Sequence, residues 1–121
     1  MRFLLFILLA LGIFNCSKQN TIESSENNPP VINTMIALPD SVEFNSSIMI
    51  FCCARDADGE ALSYQWDSKA IGTIKPPGLD SVITWIAPDY HCQPWIICTV
   101  SDPNGASASD SVLVYVLDTS F

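Results

Sequence analysis

The chain has 121 residues, of which 49% are hydrophobic and 15% are charged, with 13 acidic side chains against 5 basic ones. This length favours a single domain. The formal net charge of −8 argues against a nucleic-acid-binding protein, because the phosphate backbone is also negatively charged and no basic patch offsets the repulsion.

The first residues, MRFLLFILLALGIFNC, carry one basic side chain, Arg2, before an apolar run that extends from residue 3 to residue 14. This run is too short to span a bilayer comfortably, and it has the length of the hydrophobic region of a signal peptide. We therefore predict that residues 1–15 are a signal peptide and that the mature chain is exported. Loss of Arg2 would leave four basic side chains against thirteen acidic ones.

A cysteine, Cys16, follows the apolar run directly. This arrangement resembles a bacterial lipoprotein signal, although Phe14 and Asn15 depart from the small residues that usually precede the cysteine. The resemblance implies that the Cys16 thiol carries lipid, with acyl chains such as palmitate, and that it anchors the chain to the membrane of the bacterial cell envelope, at the outer membrane or cell surface. The alternative is a cleaved signal without lipid.

Residues 16–28 then form the lipidated cysteine and a polar segment with one apolar residue, Ile22. Such a composition cannot bury a core, so it predicts a disordered tether. A flexible chain of this length reaches about 20 Å, enough to hold a domain clear of a membrane. The domain itself is predicted to occupy residues 29–121.

From Val31 onwards, apolar and polar residues alternate, and no stretch of ten residues has helical spacing. Short strands separated by turn residues predict an all-β chain folded as an antiparallel sandwich of about 90 residues. The predicted strands are residues 31–38, 47–55, 61–67, 81–86, 95–101 and 107–117, with an irregular segment at 68–80.

Alternation places Cys52 on the inward face of strand 47–55 and Cys98 on the inward face of strand 95–101. Cys53 faces outward, and Cys92 lies in the loop at the opposite end, near 20 Å away. That distance excludes a disulfide between Cys53 and Cys92. The residues expected to share the inward faces are Ile48, Ile50, Ala54, Ile96 and Val100 on these strands, and Leu62, Tyr64 and Trp66 on strand 61–67.

Four segments resemble the immunoglobulin-like superfamily, and more closely the PKD-like and cadherin-like domains of bacterial surface proteins. They are PPVI at 29–32, CCARDADGEALSYQW at 52–66, VITWIAPD at 82–89 and IICTVSDPNGA at 96–106. The resemblance implies an immunoglobulin-like sandwich with a disulfide between Cys52 and Cys98, against which Trp66 packs.

Export would keep such a bridge oxidised. The loop it closes, roughly 45 residues, would stabilise the fold by about 4 kcal/mol in the chain-entropy treatment. Two alternatives remain: a pair of buried free thiols, or a register slip that places Cys53 inside.

Acidic and amide side chains follow two of the predicted strands: Asp56 and Asp58 after the second, Asp102 and Asn104 after the fifth. These loops meet at one end of an immunoglobulin-like sandwich. Three carboxylates and an amide oxygen suit calcium, which takes six to eight oxygen ligands. Both sequences are also common turn formers, and the turn is the favoured interpretation. No other cofactor is predicted.

No enzyme activity is predicted. The single histidine, His91, adjoins Cys92, but neighbouring side chains diverge, and no third group completes a nucleophilic site.

One feature indicates binding. With Val112, Val114 and Val116 inward, alternation leaves an apolar stripe on the sheet of strands 61–67, 95–101 and 107–117. Exposed apolar patches often mark interfaces, so we predict contact with another protein. Alternatively, segment 68–80 folds over the stripe. Its residues are Trp95, Ile97, Leu113, Tyr115 and Leu117.

Together these features predict a membrane-anchored lipoprotein of the cell envelope or surface whose domain is a protein-binding or adhesion module. The alternative is a structural accessory subunit or spacer in a larger envelope complex.

Overall fold

The structure, a computed structural model, describes residues 27–118. Within that range no helix is long and apolar enough to cross a membrane. The predicted signal peptide, Cys16 and most of the predicted tether lie outside the described residues. The strands are β1 (Val31–Leu38), β2 (Ser41–Glu43), β3 (Ser47–Arg55), β4 (Ser63–Asp67), β5 (Thr73–Ile74), β6 (Val82–Ile86), β7 (Trp95–Ser101), β8 (Ser107–Leu113) and β9 (Tyr115–Leu117).

Two antiparallel sheets enclose the core. One has the order β1-β3-β6-β5 and the other the order β4-β7-β8, while β2 and β9 pair in parallel as a separate two-stranded ribbon. The all-β sandwich predicted from alternation is therefore confirmed. Each of the six predicted strands is present, and β1, β3 and β7 have the predicted bounds.

The predicted strand 107–117 is wrong in one respect, because it divides at Val114 into β8 and β9. Leu113 is the last residue paired with β7, opposite Trp95. The residue that precedes β7 is Pro94, which has no N–H and so cannot donate to the ladder beyond the pair of Trp95 and Leu113. Val114 donates to the Pro94 carbonyl at 3.0 Å, and the chain then turns to pair with β2.

Burial follows the predicted alternation. Side chains buried on β3 are Ile48, Ile50, Cys52 and Ala54, and those buried on β7 are Ile96, Cys98 and Val100. Trp66 is half-buried and packs against the group that contains Cys52 and Cys98. The largest fully buried side chain, Trp85 on β6, donates from Nε1 to the Ile71 carbonyl at 3.0 Å.

Segment 68–80 supplies the edge strand of the β1-β3-β6-β5 sheet. It does not cover Trp95 on the outer face of the β4-β7-β8 sheet. Its strand β5 pairs with β6, and Ile71 and Ile74 pack against the core. Trp95 remains 55% exposed, so the alternative in which this segment buries the apolar stripe is not what the structure shows.

Candidate cation site and outer face

The β3–β4 and β7–β8 loops meet at one end of the sandwich, as predicted. Asn104, in the second loop, donates from Nδ2 to the two carboxylate oxygens of Glu60, in the first, at 3.3 and 3.2 Å. Side chains of both loops therefore face one another across a short gap.

Asp56 is the most deeply buried residue of this loop end, at 1% exposure. Its Oδ1 accepts the Asp58 N–H at 3.0 Å, and its carbonyl accepts the Gly59 N–H at 2.9 Å. These two bonds form the predicted turn. The other carboxylate oxygen, Oδ2, is buried without a hydrogen-bond partner in the described part of the chain, an arrangement that costs free energy for a charged group.

Asp58 and Glu60 converge on this carboxylate. One ligand atom from each of Asp56, Asp58 and Glu60 lies within 4.8 Å of the others. Partial burial, followed by the negative charges of Asp56, Asp102 and Asp58, raises the pKa of Glu60 above its usual value. The β3–β4 loop therefore concentrates negative charge from residues at alternate positions.

Asp102 does not belong to this group of three carboxylates, and its own oxygens hold the β7–β8 turn and Asn27. Oδ1 accepts the N–H groups of Asn104 at 2.9 Å and Ala106 at 3.0 Å, and Oδ2 accepts from Asn27 Nδ2 at 3.0 Å. Burial alone raises the pKa of Asp102, but the hydrogen bonds from Asn27, Ala106 and Asn104 outweigh it and leave the pKa lowered.

Of the four residues predicted as calcium ligands, only two therefore lie in the group of converging carboxylates. Asp56 and Asp58 lie together as predicted, and the third carboxylate beside them is that of Glu60. Asp102 accepts hydrogen bonds within the β7–β8 turn, and Asn104 donates to Glu60 across the two loops. Sequence reasoning omitted Glu60, although its spacing of two from Asp58 was a usable signal. Calcium binding itself stays a prediction.

Two residues assigned to the tether also reach this end. Asn28 donates its backbone N–H to Asp58 Oδ2 at 2.8 Å and its Nδ2 to Oδ1 at 3.2 Å. Asn27 accepts from Asn104 Nδ2 at 3.0 Å and donates to Asp102. The contacts of the domain therefore begin before Pro29, because asparagine amides are suitable donors for these carboxylates.

Cys52 and Cys98 are buried free thiols in the structure, so the predicted disulfide is not present in it. They do lie together, as their inward positions implied, and a hydrogen bond joins them. This bond lowers the pKa of Cys52 and, with burial, raises that of Cys98. A bridge needs sulfurs about 2.05 Å apart and an oxidant, so it stays a prediction.

Cys92 is a half-buried free cysteine, and its backbone forms a bridge with Val116. It lies at the end of the sandwich opposite the β3–β4 loop, since the Ile86 end of β6 pairs with the first residue of β3. Because Cys92 is a free thiol, it forms no disulfide with Cys53 in the structure.

The apolar stripe on the outer face is partly open. Trp95 is 55% exposed, Tyr115 37% and Leu117 41%, whereas Ile97 and Leu113 are half-buried. The prediction placed all five on one three-stranded sheet, and this is wrong: Tyr115 and Leu117 lie on β9, which pairs with β2. Alternation nevertheless continues across the break, since Val114 and Val116 are fully buried. We call the five residues the outer stripe.

No protein-family model and no curated protein matches the chain. Among solved structures, the PKD1 domain of Vibrio anguillarum Epp is 26% identical with a TM-score of 0.55, covering 77% of this chain and 99% of that domain.

A second similar structure comes from work on the promiscuous specificity of carbohydrate-binding modules of the β-sandwich superfamily. It is 19% identical with a TM-score of 0.63 over 78% of this chain, and this chain spans only 37% of its length. That likeness bears on the fold alone. With the two facing antiparallel sheets and their alternating core, these similarities show that the chain has a PKD-like, immunoglobulin-like β-sandwich fold.

Proposed function

We propose that this protein is a lipid-anchored component of the bacterial cell envelope whose sandwich is a non-catalytic module that binds another protein. The similarity to a PKD domain, which extends over almost the whole length of that domain, supports a binding module of this type. The lipid anchor is supported by the N-terminal sequence, in which an apolar run ends at Cys16.

The observation that carries the binding role is the exposed Trp95. It stands on β7, the central strand of its sheet, opposite Leu113 on β8. An aromatic side chain held on a rigid sheet offers a large contact area with little loss of conformational entropy on binding, and Trp and Tyr are enriched among the residues that dominate binding energy.

The neighbours of Trp95 favour a protein partner over a carbohydrate. Three of the other four residues of the outer stripe are aliphatic: Ile97 and Leu113, which share a face of the sheet with Trp95, and Leu117 on β9. Aliphatic side chains match the apolar centre of a protein interface. A sugar would instead need polar groups to accept and donate hydrogen bonds to its hydroxyls.

A comparison of partner recovery tests this proposal. The wild-type chain, Trp95→Glu and Met49→Glu are each used as bait in detergent-solubilised envelopes. Met49 is the control, because it is a 45% exposed apolar residue on β3 of the opposite sheet. We expect Trp95→Glu to lose the partner while its urea unfolding midpoint stays close to the wild-type value, and Met49→Glu to retain the partner.

Two results would contradict the proposal: retention of the partner by Trp95→Glu, or unfolding of that variant at much lower urea, which would make Trp95 a core residue. The stoichiometry separates the two roles that the sequence left open. A stable complex with fixed subunit ratio favours an accessory subunit, and weak recovery favours a transient binding or adhesion module.

A further inference from the structure

The loop end of the sandwich contains a buried carboxylate oxygen that nothing in the described chain satisfies. Asp56 is 1% exposed, its Oδ1 is held by the Asp58 N–H, and its Oδ2 has no donor among residues 27–118. One carboxylate oxygen from each of Asp58 and Glu60 lies within 4.8 Å of a carboxylate oxygen of Asp56. We infer that Asp56, Asp58 and Glu60 form a calcium-binding site.

The chemistry of the ligands selects the class of cation. All three are carboxylates, which suit hard cations rather than zinc or copper, whose sites use histidine and cysteine. Ligand atoms within 4.8 Å of one another can share one calcium ion, because oxygens on opposite sides of calcium are about 5 Å apart. Magnesium demands a smaller and more regular octahedron.

Solvent completes the coordination. Asp58 and Glu60 are half-buried, so water can reach the ion from the outer side, while Asp56 holds it from the inner side. The hydrogen bonds of Asp58 with Asn28, and of Glu60 with Asn104, orient these two carboxylates and leave lone pairs for a cation. The predicted turn and a calcium site therefore coexist in one loop.

This site differs from the set expected from sequence, in which Asp102 and Asn104 were ligands. The Asp102 oxygens accept three hydrogen bonds, and the Asn104 amide nitrogen contacts Glu60 as a donor. Calcium binding at this loop would require neither the outer stripe nor a lipid on Cys16.

Calcium and magnesium titrations of the full chain, purified in detergent, test the inference by calorimetry and thermal unfolding. We expect a calcium dissociation constant on the order of 10⁻⁴ to 10⁻³ M, as in extracellular calcium modules, and a rise in Tm of about 5 °C at saturating calcium. Asp56→Asn and Glu60→Gln should each weaken calcium binding at least about tenfold, through loss of a charged ligand.

Two variants serve as controls. Asp102→Asn keeps an oxygen for the turn and should bind calcium within about threefold of wild type. Asp89→Asn changes an exposed carboxylate in the β6–β7 loop, at the other end, and should bind as wild type does.

Four outcomes would overturn the inference: no effect of calcium on the wild type, magnesium binding as tight as calcium binding, wild-type affinity in both ligand variants, or loss of binding in Asp102→Asn. If Asp56→Asn does not fold, Glu60→Gln alone tests where calcium binds. This variant should fold, because Glu60 is only partly buried.

Discussion

Position 72 admits only glycine. Its φ of +68° lies in the left-handed region, and a Cβ built there would lie 2.5 Å from both the Ile86 carbonyl oxygen and Cζ2 of Trp85. Trp85 is fully buried, and its indole N–H is bonded to the Ile71 carbonyl. The backbone before β5 therefore passes directly over the central indole ring, which leaves no room for a side chain.

Gly72→Ala should consequently be one of the most damaging small substitutions in the domain. Left-handed strain of about 1–2 kcal/mol adds to an overpacking cost of about 1–3 kcal/mol, so we expect the free energy of unfolding to fall by about 3 kcal/mol. Urea denaturation measures it. Gly105→Ala is the control, because φ is +94° there but nothing lies within 4 Å of the added Cβ. Equal losses in both variants would contradict the role of the Trp85 contact.

Individual residues of the candidate cation site were only partly predictable. Asp56 and Asp58 stand out in the sequence because carboxylates recur at alternate positions. The engagement of Asp102 by two backbone N–H groups depends on the loop conformation, which residue types alone do not specify. Asn27 bonds to Asp102, 75 residues further along the chain, and Asn28 bonds to Asp58, 30 residues further along. The polar composition of this segment predicted a tether and gave no sign of these contacts.

At the scale of elements, the long strands were predictable because each buries one face, and burial imposes a period of two. Burial on β3 and β7 follows that period without interruption. The strands β2 and β5 have three and two residues, too few to show a period. The strands β2 and β9 pair although they lie more than 70 residues apart in the sequence, and no local pattern reveals such a pairing.

A disulfide between Cys52 and Cys98 would link the two sheets and stabilise the domain. Cys52 on β3 and Cys98 on β7 hydrogen-bond across the core between them. Peptide mapping without reductant should recover these two cysteines linked after export. Reduction should then lower the free energy of unfolding by about 4 kcal/mol or less, because the bridge restricts the unfolded chain. Cys98→Ala should lack the part of this loss that the Cys52–Cys98 bridge contributes.

Cys92→Ala is the matched control, since Cys92 is a half-buried thiol at the other end of the sandwich. It should show the same dependence on reductant as the wild type. Recovery of Cys53 linked to Cys98 would contradict the register of β3, and alkylation of both Cys52 and Cys98 in unreduced protein would contradict the bridge.

On the scale of the whole molecule, the position of Asn27 and Asn28 predicts how the domain would face a membrane if Cys16 carries lipid. Both are held at the loop end, beside Asp58 and Asp102. Cys16 precedes Asn27 by eleven positions in the sequence, and a chain of that length with random-coil dimensions would reach about 20 Å. A lipid there would hold the loop end, with its carboxylates, towards the membrane and would leave the outer stripe on the side of the domain, accessible to a partner.

Cys16→Ala tests the anchor on which this orientation depends. The wild-type chain should fractionate with membranes and carry acyl mass, and the variant should lose both, because each buried methylene contributes about 0.8 kcal/mol to membrane binding. Release should be complete, since the acidic chain has no electrostatic attraction to anionic lipids. Mass spectrometry and fractionation measure these effects, and Cys92→Ala should behave as wild type. A Cys16→Ala chain that remains membrane-bound after removal of its signal peptide would show that the anchor lies elsewhere.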